Sequence, residues 1–362
     1  ANESGGSYNA TGEHSGDVID TSSSSHTDSD ADASSSLSIT HIKLSSGSNS
    51  TVASSSSYNS NGTSITGTYG TITIGADGSY AYAATTDATN ALDAGESATD
   101  TFVYTLSDGT AISTANLTIT VLGANDAPVA QNDVGVIAED STLTVSDGAD
   151  ANETGGSYNA TGEHSGDVID SSNTSTRDTD VDVETLTVTA IRLGSSEGSG
   201  TAGTVGSALT GTYGQLTLNS NGSYSYVANQ TAADALDAGD SVTDSFNYTV
   251  SDGTATDTAV ITITVLGIND TPTAQNDVGV IVEDGTLTVA NGANATLSGS
   301  YDATGENSGD LMDTSSSSHS DSDADDSASL SITQIKKDGG SNSSVASGSS
   351  YNSSGTQVTG TY

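Results

Sequence analysis

What most constrains this chain is that it repeats itself. Residues 1–20 read ANESGGSYNATGEHSGDVID and residues 151–170 read ANETGGSYNATGEHSGDVID; residues 300–313, SYDATGENSGDLMD, form a looser third copy. Thr68-Tyr69-Gly70 recurs as Thr212-Tyr213-Gly214, and Thr361-Tyr362 opens a third occurrence. The linker Asn125-Asp126-Ala127-Pro128 returns as Asn269-Asp270-Thr271-Pro272, 144 residues later. One unit is therefore about 145 residues, an ordinary domain size. The expected boundaries are 1–124 for a repeat lacking its first strand, 125–268 for a complete repeat, and 269–362 for one truncated on its C-terminal side. The chain starts and stops in mid-unit, so a window on a longer array is expected, since arrays normally carry terminal caps.

Within one unit the hydrophobic pattern has the period of strands. Residues 135–145 and 279–289 read as an opening strand. Residues 185–193, TLTVTAIRL, alternate Leu186, Val188 and Ala190 inward against threonines. Residues 215–226 read as a hairpin, with Leu216 and Leu218 leading to an Asn221-Gly222 turn and then Tyr224 and Tyr226. Phe246, Tyr248 and Val250 share one face, as do Ile261, Ile263 and Val265. The one helical candidate is a single turn at residues 232–236. Short strands at this spacing predict an all-β sandwich or barrel. Residues 1–27, 149–177 and 292–320, rich in Gly, Ser, Asn and Thr, read as long surface loops, as do 45–64 and 194–207.

Composition narrows the partners. The chain has 47 acidic residues against 5 basic ones, a formal net charge of −42. Nucleic-acid backbones are excluded, because binding them needs clustered Lys and Arg; an anionic membrane surface is disfavoured, and no apolar run reaches the ~20 residues of a span. Low hydrophobicity with this charge normally signals disorder. Here the apolar residues are concentrated in strands, so folded domains with an external counter-ion are expected. Asp and Asn oxygens suit Ca²⁺. Cysteine is absent, which removes disulfides and thiolate metal sites.

Two carboxylate patterns recur. Asp178, Asp180 and Asp182, followed by Glu184, have copies at Asp28, Asp30, Asp32 and at Asp321, Asp323, Asp325. In an extended segment alternate side chains share a face about 7 Å apart, so three carboxylates there repel unless a cation bridges them. A solvated acidic loop is the plain alternative. The second pattern lies at the unit seam, with Asn125, Asp126, Asn132, Asp133, Glu139 and Asp140 repeated as Asn269, Asp270, Asn276, Asp277, Glu283 and Asp284. Asn-Asp-x-Pro is also a plain turn and strand start. Asp108 and Asp252, in Ser-Asp-Gly, read as turn residues.

Residues 209–270, LTGTYGQLTLNSNGSYSYVANQTAADALDAGDSVTDSFNYTVSDGTATDTAVITITVLGIND, closely resemble the VCBS repeat of bacterial adhesins, and residues 65–126 look the same. The resemblance implies tandem cadherin-like or Ig-like β-sandwich repeats in a very long protein. Such proteins are secreted by an RTX-type route to the bacterial cell surface, for adhesion or biofilm. It also implies that an Asn-Asp linker, an early-strand Glu and a D-x-D segment share interdomain calcium. Asp126, Asp270, Glu139 and Glu283 thereby join the D-x-D triplets as candidate ligands. The Gly/Ser/Asn-rich insertion makes this unit longer than the family leads one to expect.

Catalysis finds no support. His14 and His164 match, but the third copy has Asn307; His26 and His319 match, but Thr176 stands between them. No unit offers a Ser/His/Asp set. Lys43 has Arg192 as its counterpart, and Arg cannot serve as the nucleophile of a Lys–Asn crosslink. Asn-x-Ser/Thr triplets at Asn9, Asn61, Asn159, Asn221 and Asn247 leave glycan attachment open. The expected function is a non-catalytic, calcium-stiffened stalk, with its own neighbouring repeats as partners. The alternatives are a fibre built from copies of the chain and a carbohydrate-binding module that takes glycans.

Overall fold

Threonine, valine, isoleucine and tyrosine alternate along most ordered segments, and β-branched and aromatic side chains suit a pleated, half-buried surface. The computed structural model describes residues 17–19, 28–32, 36–149, 163–169, 177–182, 184–281, 283–291, 306–307, 311–312, 320–325, 329–349 and 355–360. Most of the predicted Gly/Ser/Asn-rich loops, and His14, His26 and His319, lie outside these residues. The fold is all-β, with several sheets, and is consistent with tandem β-sandwich repeats. No helix of the described residues is long and apolar enough to cross a membrane.

Contacts divide the chain into two bodies. The first comprises 1–129 with 178–187 and 250–257; the second comprises 130–177, 188–249 and 258–362. In the first, β1 (Ser38–Leu44), β2 (Ser50–Thr51), β6 (Ser97–Ser107) and β7 (Ile112–Leu122) form one sheet in the order β2-β1-β6-β7. A second sheet is β3 (Thr63–Thr66), β4 (Thr71–Ile74) and β5 (Tyr80–Ala83). Ile39, Ile42, Ile72, Ile74 and Phe102 fill the space between. One helical turn, α1 (Asp87–Asn90), precedes β6.

The second body repeats this plan with one more segment in it. Its strands begin with β8 (Asp133–Ala138), β9 (Thr142–Val145), β10 (Glu163–His164) and β11 (Thr187–Leu193). Next come β12 (Leu209–Thr210), β13 (Gln215–Leu218), β14 (Tyr224–Val227), helical turn α2 (Thr231–Asp234), β15 (Ser241–Ser251) and β16 (Thr256–Leu266). The sheets run β10-β8-β16-β15-β11 and β12-β13-β14-β9. Beyond them lie two short pairs, β17 (Gly279–Val280) with β18 (Glu306–Asn307), and β19 (Gln334–Ile335) with β20 (Ser343–Ser344).

The expected hairpin, turn and buried faces are present: Leu216, Leu218, Phe246, Val250, Ile261, Ile263 and Val265 are fully buried, and Gly222 turns at φ 90°. Two expectations change. The opening segment is two strands rather than one, because Asp140 adopts a left-handed φ of 58° and sends β8 and β9 into different sheets. Along β11 the inward phase passes from Val188 to Ile191 instead of Ala190. In β1 the same buried spacing, Ile39 to Ile42, coincides with a register shift between Ile39 and His41, the mark of a bulge.

A buried aspartate fixes each Thr-Tyr-Gly loop. Asp244 accepts N–H bonds from Thr212, Tyr213 and Gly214 at 2.9, 2.9 and 3.1 Å and the Tyr226 hydroxyl at 2.7 Å. Asp100 likewise accepts Thr68 and Tyr69 N–H and the Tyr82 hydroxyl, at 2.8, 3.0 and 2.7 Å. Four or three donors replace the water that the charge gave up. Asn247, 2 % exposed, accepts the Gly198 N–H and donates to the carbonyls of Gly194 and Ser199, so it is not open to glycan attachment in the folded domain.

Candidate metal centre

The Asp-x-Asp run does not lie flat as a strand. Val181 and Asp182 form a bend, and the Asp182 N–H donates to Asp180 Oδ1 at 3.0 Å. Asp325 to Asp323 and Asp32 to Asp30 repeat this turn at 3.1 and 2.6 Å. The side chain of an Asp commonly closes such a turn two residues on. The carboxylates are therefore gathered by a bend rather than spaced along one pleat.

In the first body this bend meets the linker. Val129 and Thr179 form an antiparallel bridge, and the Asp126 N–H donates to Asp182 Oδ2 at 2.7 Å. Ligand oxygens of Asp93, Asp182 and Glu184 all lie within 4.8 Å of one another. Asp180 Oδ2, Asp182 Oδ1 and Glu184 Oε2 are buried without a hydrogen-bond partner. Burial first, then a hydrogen bond with Asp93 and the charges of Asp93 and Asp180, push the Glu184 carboxyl up to about 7. None of these groups is basic.

The second body carries the same skeleton. Thr273 bridges Ser322, and the Asp270 N–H donates to Asp325 Oδ2 at 3.1 Å. Glu139, fully buried, accepts the Ile268 N–H through Oε1 at 2.6 Å, while its Oε2 and Asp325 Oδ1 have no partner. Burial raises the Glu139 carboxyl, helped by Asp270, Asp140 and Asp325. Asp270 is raised by burial, then by Asp325, Asp140, Asp234 and Asp323.

These contacts redistribute the sequence candidates. Asp126 joins Asp180 and Asp182, and Asp270 joins Asp323 and Asp325. Glu139 belongs with Asp270, which follows its repeat, and not with Asp126, which precedes it. Glu283 and its turn residue Asp284 are exposed and join neither cluster. Asp178 is buried and Asp321 accepts the Gln275 N–H at 2.7 Å, so both anchor the bend. Asp28 takes the Tyr104 hydroxyl at 2.9 Å, with Asp30 and Asp32 exposed. Asp108 and Asp252 accept the next turn's N–H groups, as expected, and Asp252 also accepts Asn125 Nδ2 at 3.0 Å. Asp93 was not among the expected ligands. Its signal is the recurrence of Leu92-Asp93-Ala94-Gly95 as Leu236-Asp237-Ala238-Gly239.

Chemically, the clusters offer hard anionic oxygens, several of them buried with no hydrogen-bond partner. Calcium takes about 6 to 8 oxygens at 2.3–2.6 Å, and the orphaned carboxylate oxygens suit it. Asp93, Asp126, Asp180, Asp182 and Glu184 would hold an ion in the first body; Glu139, Asp270, Asp323 and Asp325 would do so in the second. The ion would supply the positive charge that the clusters lack.

Within this all-β chain lies a cadherin-like domain. Residues 125–267 match the family model of the bacterial cadherin-like domain. Among solved structures, a protocadherin gammaB7 cis-dimer structure shares 11 % identity over 81 % of this chain and 71 % of that one, with a TM-score of 0.27. The protocadherin GammaB4 extracellular domain shares 11 % over 64 % and 30 %, with a TM-score of 0.28. An endo-fucoidan hydrolase of glycoside hydrolase family 107 shares 19 % over 57 % of this chain but only 23 % of its own length, with a TM-score of 0.20. No curated protein matches the chain.

Proposed function

We propose that this chain is a non-catalytic, calcium-stabilised repeat array exposed outside a bacterial cell, acting as the stalk of an adhesin of the VCBS type. Its repeats run over 1–124, 125–268 and 269–362. The observation that carries the reading is the pair of matching clusters in which Asp182 and Asp325 each keep one buried, unpartnered oxygen. An ion held there ties the linker, through Asp126 or Asp270, to the Asp-x-Asp bend beyond it. A flexible, self-repelling seam becomes a stiff one, and the array can hold a distal domain away from the surface. The domains of such a stalk need no substrate site, in keeping with the absence of a recurring Ser/His/Asp set.

The test is calcium titration of the chain, followed by thermal melting and small-angle scattering. A ligand binding only the folded state adds about 2.7 kcal/mol at a hundredfold excess over Kd. A higher Tm and a longer, stiffer particle are expected, both reversed by EDTA and both lost in Asp182→Asn/Asp325→Asn. Identical melting and scattering with calcium and with EDTA would overturn the reading. A structural fibre is the second reading, favoured by the long Gly/Ser/Asn-rich insertion that recurs in each unit.

A further inference from the structure

We infer that the second body holds a calcium-type cation inside its sandwich, between Asp133, Asp167 and the Tyr224 hydroxyl, with none of the seam ligands in the site. The site begins with the run Gly-Asp-Val-Ile, which occurs at residues 16–19 and again at 166–169. Its surroundings read as surface loop, yet the run enters the core: Val168 is 0 % exposed and Val18 7 %. The Val168 N–H donates to Gly222 O at 3.1 Å and the Ile169 N–H to Asp167 Oδ1 at 2.9 Å. In the first body Val18 and Ile19 make the same bonds, to Gly78 O at 3.0 Å and Asp17 Oδ1 at 2.9 Å. In the second body this seating buries Asp167 completely.

Asp133 enters from β8. It is buried too, and it shares the inner face of that strand with Gly135 and Ile137, since alternate residues point the same way. The Ser165 hydroxyl donates to Asp133 Oδ1 at 2.8 Å. The Tyr248 hydroxyl lies 2.9 Å from Asp133 Oδ2, 2.9 Å from Gln131 O and 3.2 Å from Val168 O. Tyr248 brings a single proton to those three oxygens.

Tyr224 closes the space. Its side chain is 1 % exposed and its buried hydroxyl has no hydrogen-bond partner, a costly state for a polar group. Two landmarks place that hydroxyl. It reaches over Gly135, where a Cβ would lie 3.6 Å from it. Tyr224 also stands two residues from Gly222, where a Cβ would lie 3.0 Å from Asp167 Oδ1. Burial first, then the charges of Asp133 and Asp167, push the phenol up. Two buried carboxylates and an unused phenol oxygen therefore converge. Carboxylate, hydroxyl and carbonyl oxygens are the ligands a hard cation such as Ca²⁺ takes. An ion there neutralises both charges, gives the orphaned oxygen a partner, and clamps the recurring Gly-Asp-Val-Ile run to the opening strand.

Calcium binding to the whole chain carrying Asp182→Asn and Asp325→Asn, which disables both seam clusters, tests this separately from the stalk. Equilibrium dialysis is expected to leave a tight site, and terbium bound there is expected to luminesce on tyrosine excitation until calcium displaces it. Adding Asp167→Asn abolishes both signals. Tyr224→Phe separates a ligand from a packing role, because it removes only the orphaned oxygen. The metal-free chain then melts higher, while calcium affinity falls about tenfold. No bound ion in the seam-disabled chain, binding unchanged by Asp167→Asn or by Tyr224→Phe, or a high-resolution map with only a water among the three side chains overturns the inference.

Discussion

Glu184 shows what buried, closely gathered acids do to one another. Its carboxyl is pushed up to about 7 from an ordinary 4.5, so the folded chain holds a proton that the unfolded chain releases. Stability from this group is complete below pH 4.5 and is lost as pH rises toward 7, because the native state binds more protons across that window. Glu139 and Asp270, also raised, act in the same direction. Metal-free chain should therefore melt lower at pH 7 than at pH 4.5 on account of these groups, and the increment from calcium should grow over the same range, since a metal takes the deprotonated form. Melting curves at both pH values, with calcium and with EDTA, check this; Glu184→Gln should flatten the metal-free profile.

At the scale of elements, the Thr-Tyr-Gly loop depends on one carboxylate. Asp244→Asn keeps the shape but turns an amide N–H₂ toward donors, leaving buried N–H groups without an acceptor. The expected loss is about 3 kcal/mol in urea unfolding, with Tyr226→Phe, which gives up a single bond to a charged acceptor, near 1.5 kcal/mol. Sequence periodicity was enough to read the strands that carry Phe246, Tyr248, Ile261 and Ile263, since burial and the pleat have the same period. It read the recurrence of Thr-Tyr-Gly without its cause, because Asp244 lies about thirty residues further on. The clusters were legible in part for the same reason. Asp180 and Asp182 announce themselves by local spacing, but Asp93 reads as a loop residue, and Glu139 finds Ile268 only through the fold, 129 residues away.

For the whole molecule, the acidic excess and the proposed ion sites are two sides of one arrangement. A chain with a net charge of −42 repels itself most when its carboxylates are bare, so calcium removal should be felt at every seam at once. Small-angle scattering of the chain should show a shorter, more variable particle in EDTA, with secondary structure by circular dichroism largely kept. The parallel pairing of β8 with β16 sets the order of events earlier in the protein's life. Asp133 finds Ile261 across 128 residues, a high contact order that places such domains among those folding in about milliseconds to seconds. A nascent repeat therefore stays open until nearly its last strand has emerged. Until that late strand arrives, the opening residues wait for a neighbour the ribosome has yet to deliver.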